Sequence, residues 1–317
     1  MKKFMKTTTP RPTGFTDRAA RLTLGTALAL AAAGAWAFAA GILGSLSYRY
    51  PFEYGETIML LPILNMRENP WIYGDILKMP HHLMPYHPLY LYLAYAVSLV
   101  TGPSYICGRI VTGAAAVVAA GLIALICRRR AGAGWAGSMF AGFLFLASPF
   151  LLGEAIHVKP DVTALALALT GFYLGTGDGR GRCVGSAVFF ALAFMTKQNY
   201  VLAAAAVLMG YLIRLKLREA WVFTATLAAL SLAGVGILAW GSGGQYWSHA
   251  FLNVNVFYSV KIFWINLGKI GPTIGAVLAC GAASSAVLIA WRKSAATATL
   301  SVYFCFTALM TFNAFSP

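Results

Sequence analysis

Residues 22–46 read LTLGTALALAAAGAWAFAAGILGSL, and no charged side chain interrupts the run. It exceeds the roughly 20 apolar residues that a helix needs to cross a hydrocarbon core. The stretch before it, MKKFMKTTTPRPTGFTDRAAR, is basic and polar. A cleaved signal peptide has a shorter apolar region, about 7–15 residues. The run therefore reads as a retained first membrane helix, with residues 1–21 as a cytoplasmic tail.

The rest of the chain fits that start. It has 317 residues, of which 59% are hydrophobic and 10% charged. Its mean hydropathy is +0.71. A soluble domain carries about 25% charged residues, so the composition excludes that class. The net charge of +15 does not point to nucleic acid. The basic residues stand in short clusters between apolar runs, where they act as topology signals. The five cysteines (107, 127, 183, 280 and 305) show neither metal spacing nor a disulfide framework and read as small packing residues.

Folding the chain by its charge clusters gives an all-α, polytopic transmembrane bundle of about nine membrane helices. After the first, residues 48–104 form a long outer loop. Within it, the tyrosine-rich segment 86–100 is predicted to be an interfacial helix on the outer face. Further membrane helices are expected near 109–127, 135–153, 161–175, 184–195, 200–213, 220–240, 272–291 and 295–312. A second outer loop covers 241–270, and its aromatic stretch FYSVKIFWINLGK (257–269) reads as an interfacial belt. Residues 22–317 form one transmembrane domain. A single span through 184–213 would bury Lys197 at its centre, which costs several kcal/mol. A hairpin with its tip at TKQN (196–199) is therefore expected. The localisation implied is a multi-pass bacterial inner or plasma membrane, with the N-terminus in the cytoplasm.

This path gathers the unusual polar residues on the outer face. YPFEYGETIML (50–60) follows the first helix and holds Glu53 and Glu56. Only nine residues of the chain are acidic, so two this close stand out. An i, i+3 pair shares one face of a helix. Glu154, His157, Lys159 and Asp161 lie in GEAIHVKPD (153–161), and Lys197 and Gln198 in the next outer turn. His81, His82, Tyr86 and His87 lie in the first loop. A carboxylate can take a proton from an acceptor hydroxyl or amine, and lysines can neutralise a phosphate leaving group. No cofactor motif is present. A divalent metal cation is the cofactor that such histidines and carboxylates would accommodate.

The order of these signals resembles the GT-C integral-membrane glycosyltransferases, the superfamily of protein O-mannosyltransferases and the bacterial aminoarabinose transferase. The matching pieces are FEYGE (52–56), YHPLY (86–90), Gly108-Arg109, Lys159-Pro160-Asp161 and Thr196-Lys197-Gln198. They cover roughly residues 20–215. The resemblance implies transfer of a sugar from a polyprenyl-phosphate carrier to a lipid, glycan or protein acceptor at the extracytoplasmic face, with inversion. It implies Glu53 as the general base or acceptor-orienting group, where the family usually has aspartate, and Glu56 as the second acidic position. Lys159, Lys197 and Arg109 become the donor phosphate-binding set, with His157, Asp161, Gln198 and Tyr86 in support. Members of that superfamily usually continue beyond a chain of this length. The ending TFNAFSP, directly after an apolar run, reads as a short member or as one truncated after 317.

Plainer readings stand beside these. Asp161 is placed to start a helix, Lys197 to snorkel from a helix end, and Arg109 to anchor at headgroups. The alternative function is a membrane transporter or lipid flippase. That class favours repeated halves and polar groups near the bilayer midplane, and neither is seen in the sequence. Membrane lipids are expected partners, and nucleic acid is not.

Overall fold

A computed structural model describes residues 14–255, apart from 80, 81 and 85, together with residue 268. Among these residues every regular element is a helix: α1 (Gly14–Ser47), α2 (Tyr54–Asn65), α3 (Leu89–Thr101), α4 (Tyr105–Arg129), α5 (Trp135–Leu146), α6 (Pro149–Ala155), α7 (Asp161–Gly175), α8 (Arg180–Thr196), α9 (Val201–Ile213), α10 (Leu217–Gly241) and α11 (Gln245–Asn255). Among the described residues three helices are long and apolar enough to cross a membrane. They are Leu22–Ser47, Tyr105–Arg129 and Leu217–Gly241, with mean hydropathies of 1.8, 2.5 and 2.0. Trp36, Leu43, Trp221 and Leu232 stand exposed on the first and last of these. Such apolar outer surface suits lipid and would be a liability in water.

The expected helix at 135–153 is instead two helices, α5 and α6, bent by 59° at the break. The cause is local. Ser148 caps α6, its Oγ accepting from the Leu151 N–H, and Pro149 follows as the first helical residue. Proline cannot continue α5 but is at home in a first turn. The expected helices at 272–291 and 295–312 and most of the belt at 257–269 lie outside the described residues.

The core of the bundle is α4, α7, α8, α9 and α10, sealed by small residues. α7 and α8 meet at Gly171, where a Cβ would come within 2.8 Å of Phe190. Ser186 Oγ donates to the Gly171 carbonyl across the same seam at 2.7 Å. Small residues permit this close approach between helices in lipid, where packing drives association.

Alternating helices give the bundle two chemically different ends. Arg109 opens α4, Asp161 opens α7 and Lys197 closes α8 at one end. At the other, Arg130 after α4 donates to the Tyr173 carbonyl in the last turns of α7, and Arg214 after α9 reaches Gly175. The first is the acidic end and the second the basic end. α3 does not traverse the bundle. Its first turn meets Gly108 and Thr112 of α4 through Tyr90, and it hands over to α4 at Ser104.

A second apolar core caps the acidic end. It joins α2, α3, the 66–84 segment and the start of α11 through Met59, Ile63, Tyr73, Met84, Leu91 and Tyr246. The 241–270 segment thus contributes a helix to this cap, where the sequence suggested a loop.

Candidate functional site

The two glutamates that the sequence pairs have opposite environments. Glu53 precedes α2 with extended backbone (φ −147°, ψ 162°). Only Glu56 lies on the helix, so the shared helical face does not form. The Glu56 side chain is 0% exposed, against 37% for Glu53.

Glu56 is saturated. Its Oε1 accepts from Arg109 Nε at 3.1 Å and from the Val158 N–H at 2.9 Å. Its Oε2 accepts from Arg109 Nη2 at 2.9 Å and from the Phe52 N–H at 2.6 Å. Arg109 is saturated as well. Besides Glu56 it donates to the carbonyls of Ser45, Tyr48 and Tyr50. That uses all five of its N–H groups. Its guanidinium also lies 4.3 Å from the Phe52 ring centroid. Both residues were expected to meet substrate, and in this structure both are engaged within the protein. No N–H of Arg109 remains for a donor phosphate, and Glu56 has no free lone pair for a substrate proton. The pair instead ties the end of α1 and the start of α2 to α4 and to the turn before α7. Gly108 completes the joint, since a Cβ there would come within 2.4 Å of Val158.

The more accessible charges stand around this clamp. Lys159 Nζ is 2.9 Å from Glu53 Oε1 and 3.7 Å from Glu154 Oε1. The Lys159 carbonyl is held by the Thr112 hydroxyl at 3.3 Å. Burial alone would lower the Lys159 ammonium. The hydrogen bond to Glu53, with Glu154 and Asp161 nearby, outweighs burial and raises it, so Lys159 stays a cation throughout the physiological range. Two residues on, Asp161 accepts from Lys197. Lys197 breaks the chain between α8 and a 3-10 turn, Gln198–Tyr200. Its Nζ sits 5.4 Å from the Tyr86 ring centroid, and Tyr200 donates to the Asp161 carbonyl. Glu53, Glu154, Lys159, Asp161, Lys197 and Tyr86 therefore form a run of neighbours at the acidic end.

His157 lies at the edge of this run. Its Nδ1 hydrogen-bonds the Gly153 carbonyl, and its ring meets Phe52 edge-on with centroids 5.8 Å apart. Gln198 lies in the 3-10 turn beside Lys197. The loop histidines belong to the cap. His87 Nδ1 donates to the Phe194 carbonyl at 2.7 Å, so its Nε2 accepts from Tyr246 Oη at 2.9 Å. His249, which the sequence reading did not single out, accepts from the Met84 N–H at 3.0 Å and donates to the Gly74 carbonyl at 2.8 Å. Burial holds His87 below its usual range, and burial with the nearby His249 does the same to His82. His81 lies outside the described residues. Among the described residues no three His, Cys, Asp or Glu side chains stand close enough to hold a metal ion. The described side chains of this site do not fit a protein-held divalent cation.

Tyr200 is the member of this site that the sequence did not bring forward, and Glu154 was gathered with the outer-face residues without a role of its own. Glu154 stands three residues before His157 and five before Lys159, at the end of an apolar run. No protein-family model matches the chain, and neither a curated protein nor a solved structure matches it.

Proposed function

We propose that this chain is a membrane glycosyltransferase with a GT-C-like bundle of about nine membrane helices. It takes a sugar from a polyprenyl-phosphate carrier and passes it to an acceptor at the extracytoplasmic face. The observation that carries this reading is the partly exposed Glu53–Lys159 pair, with Asp161–Lys197 beside it, at the ends of apolar helices. A lipid carrier lying in the bilayer presents its phosphate at that depth.

The chemistry follows from the pairing. At rest each lysine is engaged by a carboxylate. A donor phosphate arriving between Lys159 and Lys197 takes over those hydrogen bonds and releases Glu53. The acceptor hydroxyl then attacks the anomeric carbon. The bond from that carbon to the phosphate oxygen breaks, and its electron pair leaves with the phosphate. Glu53 takes the hydroxyl proton, and the two ammonium groups balance the charge that develops on the phosphate. Attack opposite the leaving group inverts the anomeric centre.

The test is transfer in proteoliposomes from a panel of radiolabelled polyprenyl-phosphate sugars to an envelope extract. The wild type is expected to transfer one of them, and Glu53→Gln to lose transfer while still binding donor. Vectorial movement of a carrier without transfer would replace this reading by the transporter or flippase.

A further inference from the structure

The basic end of the bundle brings together four cations from three segments. Arg130 follows α4, Arg182 lies in the first turn of α8, Arg214 follows α9 and Lys216 precedes α10. One carboxylate, Asp178, sits among them and engages Lys216. Among the described residues none of the three arginines forms an ion pair. Arg130 donates to the Tyr173 carbonyl at 2.9 Å and lies 4.9 Å from that ring's centroid. Arg214 donates to the carbonyls of Gly210 and Gly175. These acceptors are neutral, and Asp178, which also attracts Arg130 and Arg214, offsets only part of the positive charge.

Two of the guanidinium groups come close together. Arg130 Nη2 and Arg182 Nη1 each lie 2.7 Å from the point a Cβ on Gly177 would occupy. They meet over this glycine, where a side chain would exclude them. The Nε of Arg130 is buried and has no hydrogen-bond partner. Burial, with repulsion from Arg182 and Arg214, pulls the Arg130 guanidinium below its ordinary value. Neighbouring like charges and an unused buried donor are a cost unless an anion sits between them. α8 adds the partial positive charge of its N-terminus, beginning just after Gly179 at φ +107°.

We propose that Arg130, Arg182 and Arg214 bind a phosphate group at the basic end, at a site separate from the transfer site. Leu215, Leu217 and Trp221 stand exposed beside it, which suits a phosphate that carries acyl chains. Guanidinium groups match phosphate through paired N–H donors.

The test uses the full chain purified in detergent. Native mass spectrometry counts bound phosphatidylglycerol against phosphatidylcholine. In a second arm, thermal melts compare inorganic phosphate with chloride at equal ionic strength. Arg182→Gln is expected to bind phosphatidylglycerol about fivefold more weakly, and to melt no lower than wild type in phosphatidylcholine, because a repulsion is removed. Arg218→Gln, outside the cluster, is expected to bind as wild type does. Phosphatidylglycerol binding without an effect of inorganic phosphate identifies a lipid headgroup. Stabilisation by inorganic phosphate that Arg182→Gln abolishes shows that the phosphate group alone suffices. Binding that Arg182→Gln and Arg130→Gln/Arg182→Gln both leave unchanged, or no response to phosphate in either arm, overturns the proposal.

Discussion

Glu53 and Glu56 differ by three positions and by their whole environment, and substitution should separate them cleanly. Glu56→Gln leaves the Arg109 charge buried and unpaired. Breaking a buried pair on one side costs about 3–5 kcal/mol, so a large fall in melting temperature is expected. Replacing both partners, as Glu56→Gln/Arg109→Met, should cost less than the sum of the single changes, which a double-mutant cycle measures. Glu53→Gln breaks a half-exposed pair, worth about 0.2–1 kcal/mol. It should leave the melt nearly unchanged while transfer falls by about 100-fold or more. The sequence brought both glutamates forward but not their division of labour. The i, i+3 argument holds only inside a helix, and α2 starts one residue after Glu53. Arg109 was equally opaque. The three carbonyls that consume its donors come from residues 59 to 64 positions away, and no local pattern announces them.

Helices α7, α9 and α10 begin and end within about three residues of where apolar runs and charge clusters put them, because those signals act along the chain. The break at Ser148-Pro149 was also written in the sequence, as a capping serine followed by proline, but the apolar composition on both sides hid it. The docking of α11 was not legible, since Met84 and His249 are 165 positions apart. That docking has a pH signature. His82 and His87 sit below their ordinary value in the fold, so below about pH 6.5 the unfolded chain takes up protons that the folded one does not. Their stabilisation is present above that pH and is lost as pH falls through the folded values. Melting temperature should drop from pH 7.5 to pH 5.5, and His87→Gln should flatten the drop. A flat wild-type profile would contradict the histidine-linked cap. The contact of α1 with the α5–α6 break is equally testable. A Cβ on Gly34 would lie 2.3 Å from the Ala147 Cβ, so Gly34→Val should destabilise by about 1–3 kcal/mol in a thermal melt.

At the scale of the molecule, the charge clusters sort the helix ends into an acidic end and a basic end, and the hydrogen bonds at each end bear that sorting out. The excess of Lys and Arg at the basic one is the sequence's ground for expecting that end inside. The transfer reading needs the acidic end outside, because that is where a polyprenyl-linked sugar would meet its acceptor. The most direct measurement is labelling of single cysteines in intact cells with a membrane-impermeant maleimide, in a chain whose native cysteines are replaced by alanine. Tyr54→Cys reports the acidic end, where the tyrosine is 81% exposed. Asp178→Cys reports the basic end, where the aspartate side chain is 83% exposed. The account predicts that Tyr54→Cys labels in intact cells and Asp178→Cys only after permeabilisation. The reverse pattern, or labelling of both from one side, would contradict it.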